Sequence, residues 1–251
     1  MLGVVIPHHS QRTPLLEAVA SVRGFTTVVV DDSLKGDLQL EGVTVVRTSG
    51  HEGFARAVNA GLEEVARQGN SLALILNDDA CMRPGSIDVL LSEWSDKDGA
   101  IAPVLHETDG SVYGIAVSKW GRARLLRHPE PIQALSGACL LIRSSERFDP
   151  HYAHGFEDIE LCRRLRQRGL HLRVIPESEC DHVGGGSIDR RSRWAQRAAM
   201  AGHLRYLGGG LRGSVAVGLG LAQVLSEGAS PARFLGLIEG IKDHIKDRAI
   251  P

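Results

Sequence analysis

The first hundred residues alternate short apolar runs with amphipathic stretches, and this alternation is compatible with few folds. Runs of β-branched residues predict strands, and apolar residues at helical spacing predict helices between them. The predicted helices are Pro14–Val22 and Phe54–Arg67, and the predicted strands are Leu2–Ile6, Thr26–Val30, Val43–Arg47 and Leu72–Leu76. This order is typical of an α/β fold in which helices flank a mainly parallel central sheet.

After Gly99 the apolar runs become shorter. Further elements are predicted as a helix over Asp158–Gln167 and strands at Ile101–Leu105, Ala138–Ile142 and Leu172–Ile175. From Arg191 onward the pattern is helical, with an interruption at Gly208–Gly210. We therefore expect one domain over residues 1–190, in two halves that meet near residue 98, followed by a helical extension over 191–251.

Composition narrows the class of protein further. Hydrophobic residues make up 43% of the chain and charged residues 24%, as is usual for a globular protein with a substantial core. The formal net charge of -1 argues against a nucleic-acid-binding protein, which would need a basic surface. A small molecule or a glycan is therefore the expected partner.

The cysteine spacing and the hydropathy of the chain predict its cellular location. The four cysteines are widely spaced and form no Cys-x-x-Cys pair, which predicts reduced thiols in a cytoplasmic protein. The short apolar run at the N-terminus has no basic segment before it, so it predicts a first strand and not a signal peptide. The longest weakly polar stretch, residues 213–225, is too short and too rich in glycine to cross a bilayer.

Polar residues follow two of the predicted strands directly. Asn77, Asp78 and Asp79 end one of them, and Asp31 and Asp32 end another. Ligands of open α/β sheets bind at the carboxyl ends of the strands, where carboxylates can hold a ribose or a divalent cation on a diphosphate. The alternative interpretation is that these residues only cap the following turn or form a turn themselves.

Two further positions carry groups that can do chemistry. Glu157 and Asp158 open a predicted helix, where a carboxylate either stabilises the helix terminus or accepts a proton from an incoming hydroxyl. His182 precedes the glycines at 184–186, and its imidazole is either a manganese ligand or an ordinary hydrogen-bonding side chain. Composition alone leaves both choices open.

The segment HEGFARAVNAG, residues 51–61, introduces a predicted helix. Gly53 would let the backbone approach a ligand closely, and Asn59 lies inside the helix. The alternative is an ordinary helix start with Asn59 as a buried hydrogen-bonding residue.

Taken in order, the motifs resemble a known family. They are VVIP, VVVDDS, EGFARAVNAG, LILNDDA, SGACLLIR, FEDIELCRRLRQRG and a late histidine before GGGS. This series resembles the inverting family-two glycosyltransferases of GT-A fold, particularly their bacterial rhamnosyltransferase-like branch. The resemblance extends from Val4 to Ser187, about three quarters of the chain.

The resemblance implies a nucleotide-binding half at residues 1–98 and an acceptor half at 99–190, and it implies a role for each matching residue. Asp158 would be the general base, and Glu157 would orient the acceptor or the base. Asp79 and His182 would bind a divalent metal, Mn²⁺ or Mg²⁺. Ser136, Gly137 and Phe156 would line the sugar and acceptor pocket. The donor would be bound by Pro7, His9, Asp31, Asp32, Gly53, Asn59, Asn77 and Asp78.

The implied activity is transfer of a sugar from a nucleotide-diphosphate donor, a UDP- or dTDP-sugar, by a single displacement with inversion. The acceptor hydroxyl would belong to a glycan, a lipid-linked molecule or a small molecule, in bacterial polysaccharide or glycoconjugate synthesis. The C-terminal extension would be a helical cap over the core, or a surface for peripheral contact with the inner face of a membrane or for a homodimer.

The sequence departs from the family pattern at three places. Asn77 replaces the first acid of the Asp-x-Asp element, and His51 replaces a common asparagine. His8, His9 and Ser10 replace the usual aromatic residue and asparagine after the first strand. Two rival functions are a nucleotidyltransferase, although HHSQRTP lacks the glycine cluster that its phosphate loop needs, and a non-catalytic nucleotide-sugar or glycan-binding module.

Overall fold

A central β-sheet runs through the protein, which a computed structural model describes over residues 1–9, 12–183, 192–208, 210–226 and 230–248. Its strand order is β3-β2-β1-β4-β10-β6-β11-β5, with β7 beside β6, while β8 and β9 form a small second sheet. The strands are β1 (Leu2–His8), β2 (Thr26–Asp31), β3 (Thr44–Arg47), β4 (Leu72–Leu76), β5 (Ala80–Met82), β6 (Asp98–Glu107), β7 (Gly110–Val112), β8 (Ile115–Val117), β9 (Ala123–Leu125), β10 (Cys139–Arg143) and β11 (His171–His182).

Helices flank this sheet and form the C-terminal part of the chain. They are α1 (Arg12–Ser21), α2 (Phe54–Arg67), α3 (Ser86–Glu93), α4 (Glu157–Gln167), α5 (Arg193–Leu207), α6 (Gly210–Ser226) and α7 (Pro231–Arg248). The predicted α/β class is thus confirmed, and α2 and β4 have the predicted bounds. The predicted glycine loop at 184–186 and the predicted domain boundary at 190 lie outside the described residues.

The direction of the strands decides which loops meet. Strands β1, β2, β3 and β4 are parallel, as predicted, whereas β10 runs antiparallel between β4 and β6. The residues before β10 therefore meet the residues after β4, and the Asn77 amide donates to the Ala138 carbonyl at 2.9 Å. This antiparallel insertion brings segments from both halves of the chain to one edge of the sheet.

Apolar packing holds α2 against the sheet. Val58, Leu62 and Val65 recur at helical spacing and are fully buried, together with Val5 and Val28 from the strands beneath. Burial of each such side chain contributes about 1.5–3 kcal/mol relative to an exposed one. The packed helix fixes the position of its own N-terminus, where Gly53 precedes Phe54.

The C-terminal helices have a small core of their own. Met200, Leu204, Ala216 and Leu237 are buried together where α5, α6 and α7 meet. Ion pairs also connect α5 to α7, from Arg193 to Glu239 and from Arg197 to Asp243. Within the described part of the chain, every helix is too short or too polar to cross a membrane.

Candidate active site

A cleft of about 690 Å³ opens at the edge where β1 and β4 end and β10 begins. This volume suits a small-molecule ligand. It gathers most of the residues singled out from the sequence, although they are far apart in the chain. Those that line it are Pro7, His9, Asp32, Gly53, Asn77, Asp78, Asp79, Ser136, Gly137, Glu157, Asp158 and His182.

The two acids after β2 have different surroundings. The Asp31 carboxylate is buried and accepts hydrogen bonds from the amide and hydroxyl of Ser33, at 3.1 and 2.6 Å, and it does not line the cleft. Consecutive residues of an extended chain face opposite sides, so the pair cannot turn to one ligand. The prediction that Asp31 contacts the donor is therefore corrected.

Asp32 faces the cleft but already has partners in the protein. Its carboxylate accepts hydrogen bonds from the Thr48 hydroxyl at 2.5 Å and from the amides of Glu52 and Gly53 at 2.9 and 3.1 Å. These bonds fix the loop that leads into α2. We call residues 48–53 the donor-side loop because it borders the predicted nucleoside position.

Asn59 does not reach the cleft. Its side-chain amide donates to the Phe148 carbonyl and accepts from the Phe148 amide, both at 2.8 Å. Both ends of the amide are therefore used to attach α2 to a segment 89 residues away in the chain. The prediction that Asn59 contacts the donor is therefore corrected. Asn59 is instead a hydrogen-bonding residue within the fold, as the alternative interpretation had it.

Phe156 also lies outside the cleft lining, contrary to the predicted acceptor-pocket role. Its ring stacks on His203 of α5, with ring centres 4.9 Å apart and planes at 10°. Its backbone is left-handed, with a φ of 73° that is uncommon for a non-glycine residue. Helix α5 thus supports the loop over residues 152–156, here called the α4 loop because it leads into α4.

The polar residues that follow β4 differ in their contacts. Asp78 is buried, and its carboxylate lies 2.7 Å from His8 Nδ1, which attaches it to the end of β1. The Asn77 side-chain oxygen is buried and has no hydrogen-bond partner among the described residues. A buried oxygen of this kind is costly unless a ligand satisfies it, so Asn77 marks a position where a donor or cation would bind.

Asp79 and His182 lie close together in the cleft, although 103 positions separate them in the sequence. The Asp79 carboxylate lies 3.3 Å from His182 Nε2, and the two side chains are 11% and 10% exposed. Burial lowers the pKa of the imidazole, but its bonds to the Asp79 and Glu107 carboxylates outweigh burial, so the pKa is raised overall. A carboxylate and an imidazole are a suitable ligand pair for Mn²⁺.

Asp79 and His182 would form an open metal site, in which the protein occupies only some of the coordination positions. Among the described residues, no cluster of three or more histidine, cysteine, aspartate or glutamate side chains has the arrangement of a metal site. Cations that bind nucleotides usually have one or two protein carboxylates, with phosphate oxygens and water completing the shell. Asp79 and His182, near the unsatisfied oxygen of Asn77, fit that kind of cation.

Glu157, which is buried, and Asp158, which is half-buried, form an acidic pair at the start of α4. Asp158 accepts hydrogen bonds from the amides of Gly137 and Ile159, at 3.0 and 2.8 Å, while burial raises its pKa. Burial and the neighbouring Asp158 charge raise the pKa of Glu157 to about 8, and one Glu157 carboxyl oxygen is buried with no partner among the described residues. Glu157 therefore keeps its proton at neutral pH and can donate a hydrogen bond, whereas the Asp158 oxygens accept hydrogen bonds from backbone amides.

Comparison with known proteins identifies the family. Residues 3–145, more than half of the chain, match the profile of glycosyl transferase family 2. The chain belongs to this family. No curated protein matches it in sequence. The matched range contains the donor-side loop and the Asn77–Asp79 cluster of this family-2 member, but it ends before Asp158 and His182.

Solved structures share the fold. The crystal structure of GalNAc-T7 with UDP, GalNAc and Mn²⁺ superposes with a TM-score of 0.67 at 17% identity, over 82% of this chain and 47% of that one. The chain thus spans about half the length of GalNAc-T7. A mannosyltransferase from Pyrobaculum calidifontis in complex with GDP-Man and Mn²⁺ has a TM-score of 0.55 at 12% identity, over 98% and 87% of the two chains.

A third similar structure is S. aureus TarS 1-349, with a TM-score of 0.58 at 12% identity over 98% of this chain and 80% of that one. At these identities the superpositions show the fold alone. They confirm that this family-2 chain has the GT-A fold, whereas the rhamnosyltransferase-like branch stays a prediction.

The cleft of this family-2 chain also contains residues that the sequence analysis did not assign to it. Trp194, from the first turn of α5, lies beside His154 with ring centres 5.6 Å apart, and both line the cleft. His51 pairs with His9 at a ring-centre distance of 4.3 Å. Trp194 follows a helix-capping serine, Ser192, and that cap was the available sequence signal for a helix start near the cleft.

The acidic pair predicts a pH-dependent effect on stability. Folded Glu157 keeps its proton up to a pKa of about 8, while the unfolded chain loses it near 4.5. Between these values the folded state binds more protons, so the free energy of unfolding falls as pH rises. Glu157→Gln removes this titration. We expect a stability gain that is small at pH 4.5 and grows up to about pH 8.

Thermal or urea unfolding across that pH range would measure the gain. Glu63→Gln, at an exposed position on α2, is the control for loss of a glutamate charge. A difference between Glu157→Gln and parent that stays constant with pH would contradict the raised pKa.

Proposed function

We propose that the chain transfers a sugar from a nucleotide-diphosphate donor to an acceptor hydroxyl, with inversion at the anomeric carbon. The observation that carries this proposal is the meeting of three side chains in one cleft. Asp79 and His182 lie 3.3 Å apart there, and Asp158 lines the same space from a different segment of the chain. A leaving-group site and a base are the two parts that a single displacement requires.

Asp158 would act as the base. Each of its oxygens accepts one backbone hydrogen bond, and each keeps a lone pair for an acceptor hydroxyl. The acceptor oxygen gives its proton to Asp158 and bonds to the anomeric carbon. The bond from that carbon to the diphosphate oxygen breaks, and its electron pair leaves with the nucleoside diphosphate. One in-line attack inverts the configuration.

Glu157 would orient the acceptor. At neutral pH its carboxyl group is protonated because its pKa lies at about 8, so it can donate a hydrogen bond to a second acceptor oxygen. Its unpartnered oxygen is buried and the residue lines the cleft. Ser136, Gly137 and the ring of Trp194 border the same space, where a sugar ring would pack.

Asp79 and His182 would hold a divalent cation, Mn²⁺ or Mg²⁺, with the Asn77 side-chain oxygen available to the cation or to the donor. When bound, such a cation neutralises the charge that develops on the departing diphosphate. Asp78 and the His9–His51 pair would contact the nucleoside of the donor, for which we propose UDP or dTDP. The superposed structures contain UDP in one case and GDP-Man in another.

The biological setting is also proposed. It comprises a rhamnosyltransferase-like branch, a cytoplasmic location with peripheral membrane contact, a glycan, lipid-linked or small-molecule acceptor, and bacterial polysaccharide or glycoconjugate synthesis. The α7 helix supports a surface role of the extension, because Phe234, Leu235 and Ile245 are 45–60% exposed. That surface would contact a membrane or a second copy of the chain.

A donor screen tests the proposed function. UDP-, dTDP- and GDP-sugars are incubated with the full chain, first with added MnCl₂ and then with EDTA instead. We expect nucleoside diphosphate release with a UDP- or dTDP-sugar that depends on the added cation. Release of pyrophosphate from a nucleoside triphosphate and a sugar phosphate would favour a nucleotidyltransferase. Donor binding without release would favour a non-catalytic module.

A further inference from the structure

The imidazole of His182 lies between two carboxylates. Its Nε2 is 3.3 Å from Asp79 on the cleft side, and its Nδ1 is 3.1 Å from the Glu107 carboxylate on the other side. Glu107 is 17% exposed and lies behind the ring, apart from the described residues that line the cleft. The ring thus separates Glu107 from the position where a cation would bind.

The number of N–H groups on the His182 ring determines how many carboxylates it can donate to. A protonated ring can donate to both carboxylates, whereas the neutral ring that a metal requires has one N–H and can donate to only one of them. If Nδ1 carries the proton, it donates to Glu107, and the Nε2 lone pair then faces the Asp79 oxygen. Two acceptors in contact repel each other unless a cation lies between them, and a divalent metal satisfies both.

The fold holds Glu107 firmly in this position. Glu107 is the last residue of β6 and His182 is the last residue of β11, and these parallel strands are paired up to His106 and Asp181. The second Glu107 oxygen lies 3.4 Å from the Arg127 guanidinium, which also donates to the Gly110 carbonyl at 2.8 Å. Adjacent strand ends and a cationic partner therefore orient the carboxylate toward the ring.

We propose that Glu107 is a positioning residue that holds His182 in the tautomer with Nδ1 protonated, so that Nε2 is free to bind a divalent cation beside Asp79. This inference rests on the proposed function, in which Asp79 and His182 are the metal ligands. Carboxylates that orient a metal-binding histidine in this way raise metal affinity by about 10- to 100-fold. Glu107 itself contacts neither the cation nor the substrate.

The test measures Mn²⁺ binding directly, by the EPR signal of free Mn²⁺ during titration of the full chain with MnCl₂ in the presence of UDP. We expect Glu107→Ala to weaken binding by about 10- to 100-fold. Glu107→Gln keeps an oxygen that accepts from Nδ1–H, so it should retain most of the affinity. Equal losses in both variants would overturn the tautomer role, because charge alone would then explain the effect.

The same two strands provide a matched control. His106 Nε2 lies 2.9 Å from Glu179, which also pairs with Arg83, so Glu179 contacts a histidine and an arginine just as Glu107 does. Neither His106 nor Glu179 lines the cleft. Glu179→Ala should therefore leave the Mn²⁺ affinity unchanged, and a comparable loss there would overturn the specific role of Glu107.

The tautomer is read without any metal by the ¹⁵N shifts of His182 in the parent chain, at a pH where the ring is neutral. A proton on Nδ1 supports the proposal, and a proton on Nε2 overturns it, even if Glu107→Ala fails to fold. A parent chain that transfers sugar but binds no Mn²⁺ would overturn this inference and leave glycosyl transfer intact. Absence of transfer with any donor, despite Mn²⁺ binding, would instead count against the proposed function.

Discussion

Asp158→Asn is expected to lower kcat for sugar transfer by about 100- to 10,000-fold, the usual contribution of a positioned general base. The amide cannot take the acceptor proton. Its NH₂ group would also face one of the two backbone amides that Asp158 now accepts from, Gly137 or Ile159, which costs about 1–3 kcal/mol of stability. Transfer rates with a saturating donor, measured beside melting temperatures, separate the two effects.

Donor binding distinguishes the base from a structural residue. We expect UDP affinity, measured by calorimetry, to be unchanged in Asp158→Asn. Asp88 is a matched control, because it is also an aspartate in the first turn of a helix, α3, but is exposed. Asp88→Asn should leave transfer unchanged. If Asp158→Asn transferred sugar at the parental rate, the assignment of the base would be wrong.

Asp79→Ala is expected to lower kcat/KM by about 100- to 1,000-fold, because several kcal/mol of charge stabilisation are lost with the cation. The substitution removes one of the two side chains that we propose as metal ligands and leaves His182 in place. The measurement is the transfer rate as a function of MnCl₂ concentration. Higher Mn²⁺ should restore part of the activity if His182 and the donor still bind it.

A nearby aspartate controls for general loss of charge. Asp181 precedes His182 in β11, but its carboxylate pairs with Arg83 at 2.7 Å and does not line the cleft. Asp181→Ala should therefore keep the parental Mn²⁺ response. Parental activity of Asp79→Ala in EDTA would contradict the metal role of Asp79 while leaving the transfer reaction in place.

Much of the fold could be predicted because the relevant signals are local. The helix Phe54–Arg67 has apolar residues at helical spacing, and Leu72–Leu76 is a continuous apolar run, so both have the predicted bounds. Strand β11 extends to His182, beyond the predicted end at Ile175. A register shift between Ile175 and Glu179 interrupts its pairing with β6, and the polar residues of this stretch hide the strand.

The candidate site could be predicted only in part, because contacts between distant segments have no local signal. The strand end at Leu76 indicated that Asn77 and its neighbours would lie at the edge of the sheet, and there they line the cleft. Asn59 bonds to Phe148, 89 residues away, and nothing in the helix that contains Asn59 reveals this partner. Glu107 lies beyond the predicted strand Ile101–Leu105, and only the pairing of β6 with β11 brings it to His182.

Gly53 joins two loops that border the cleft. Its φ is 92°, and a Cβ there would lie 2.6 Å from the Ala153 carbonyl oxygen, so the donor-side loop touches the α4 loop through backbone. We expect a shift of one loop to displace the other. Under the proposed function, binding of one substrate would then change the affinity for the other, by the same factor in both directions.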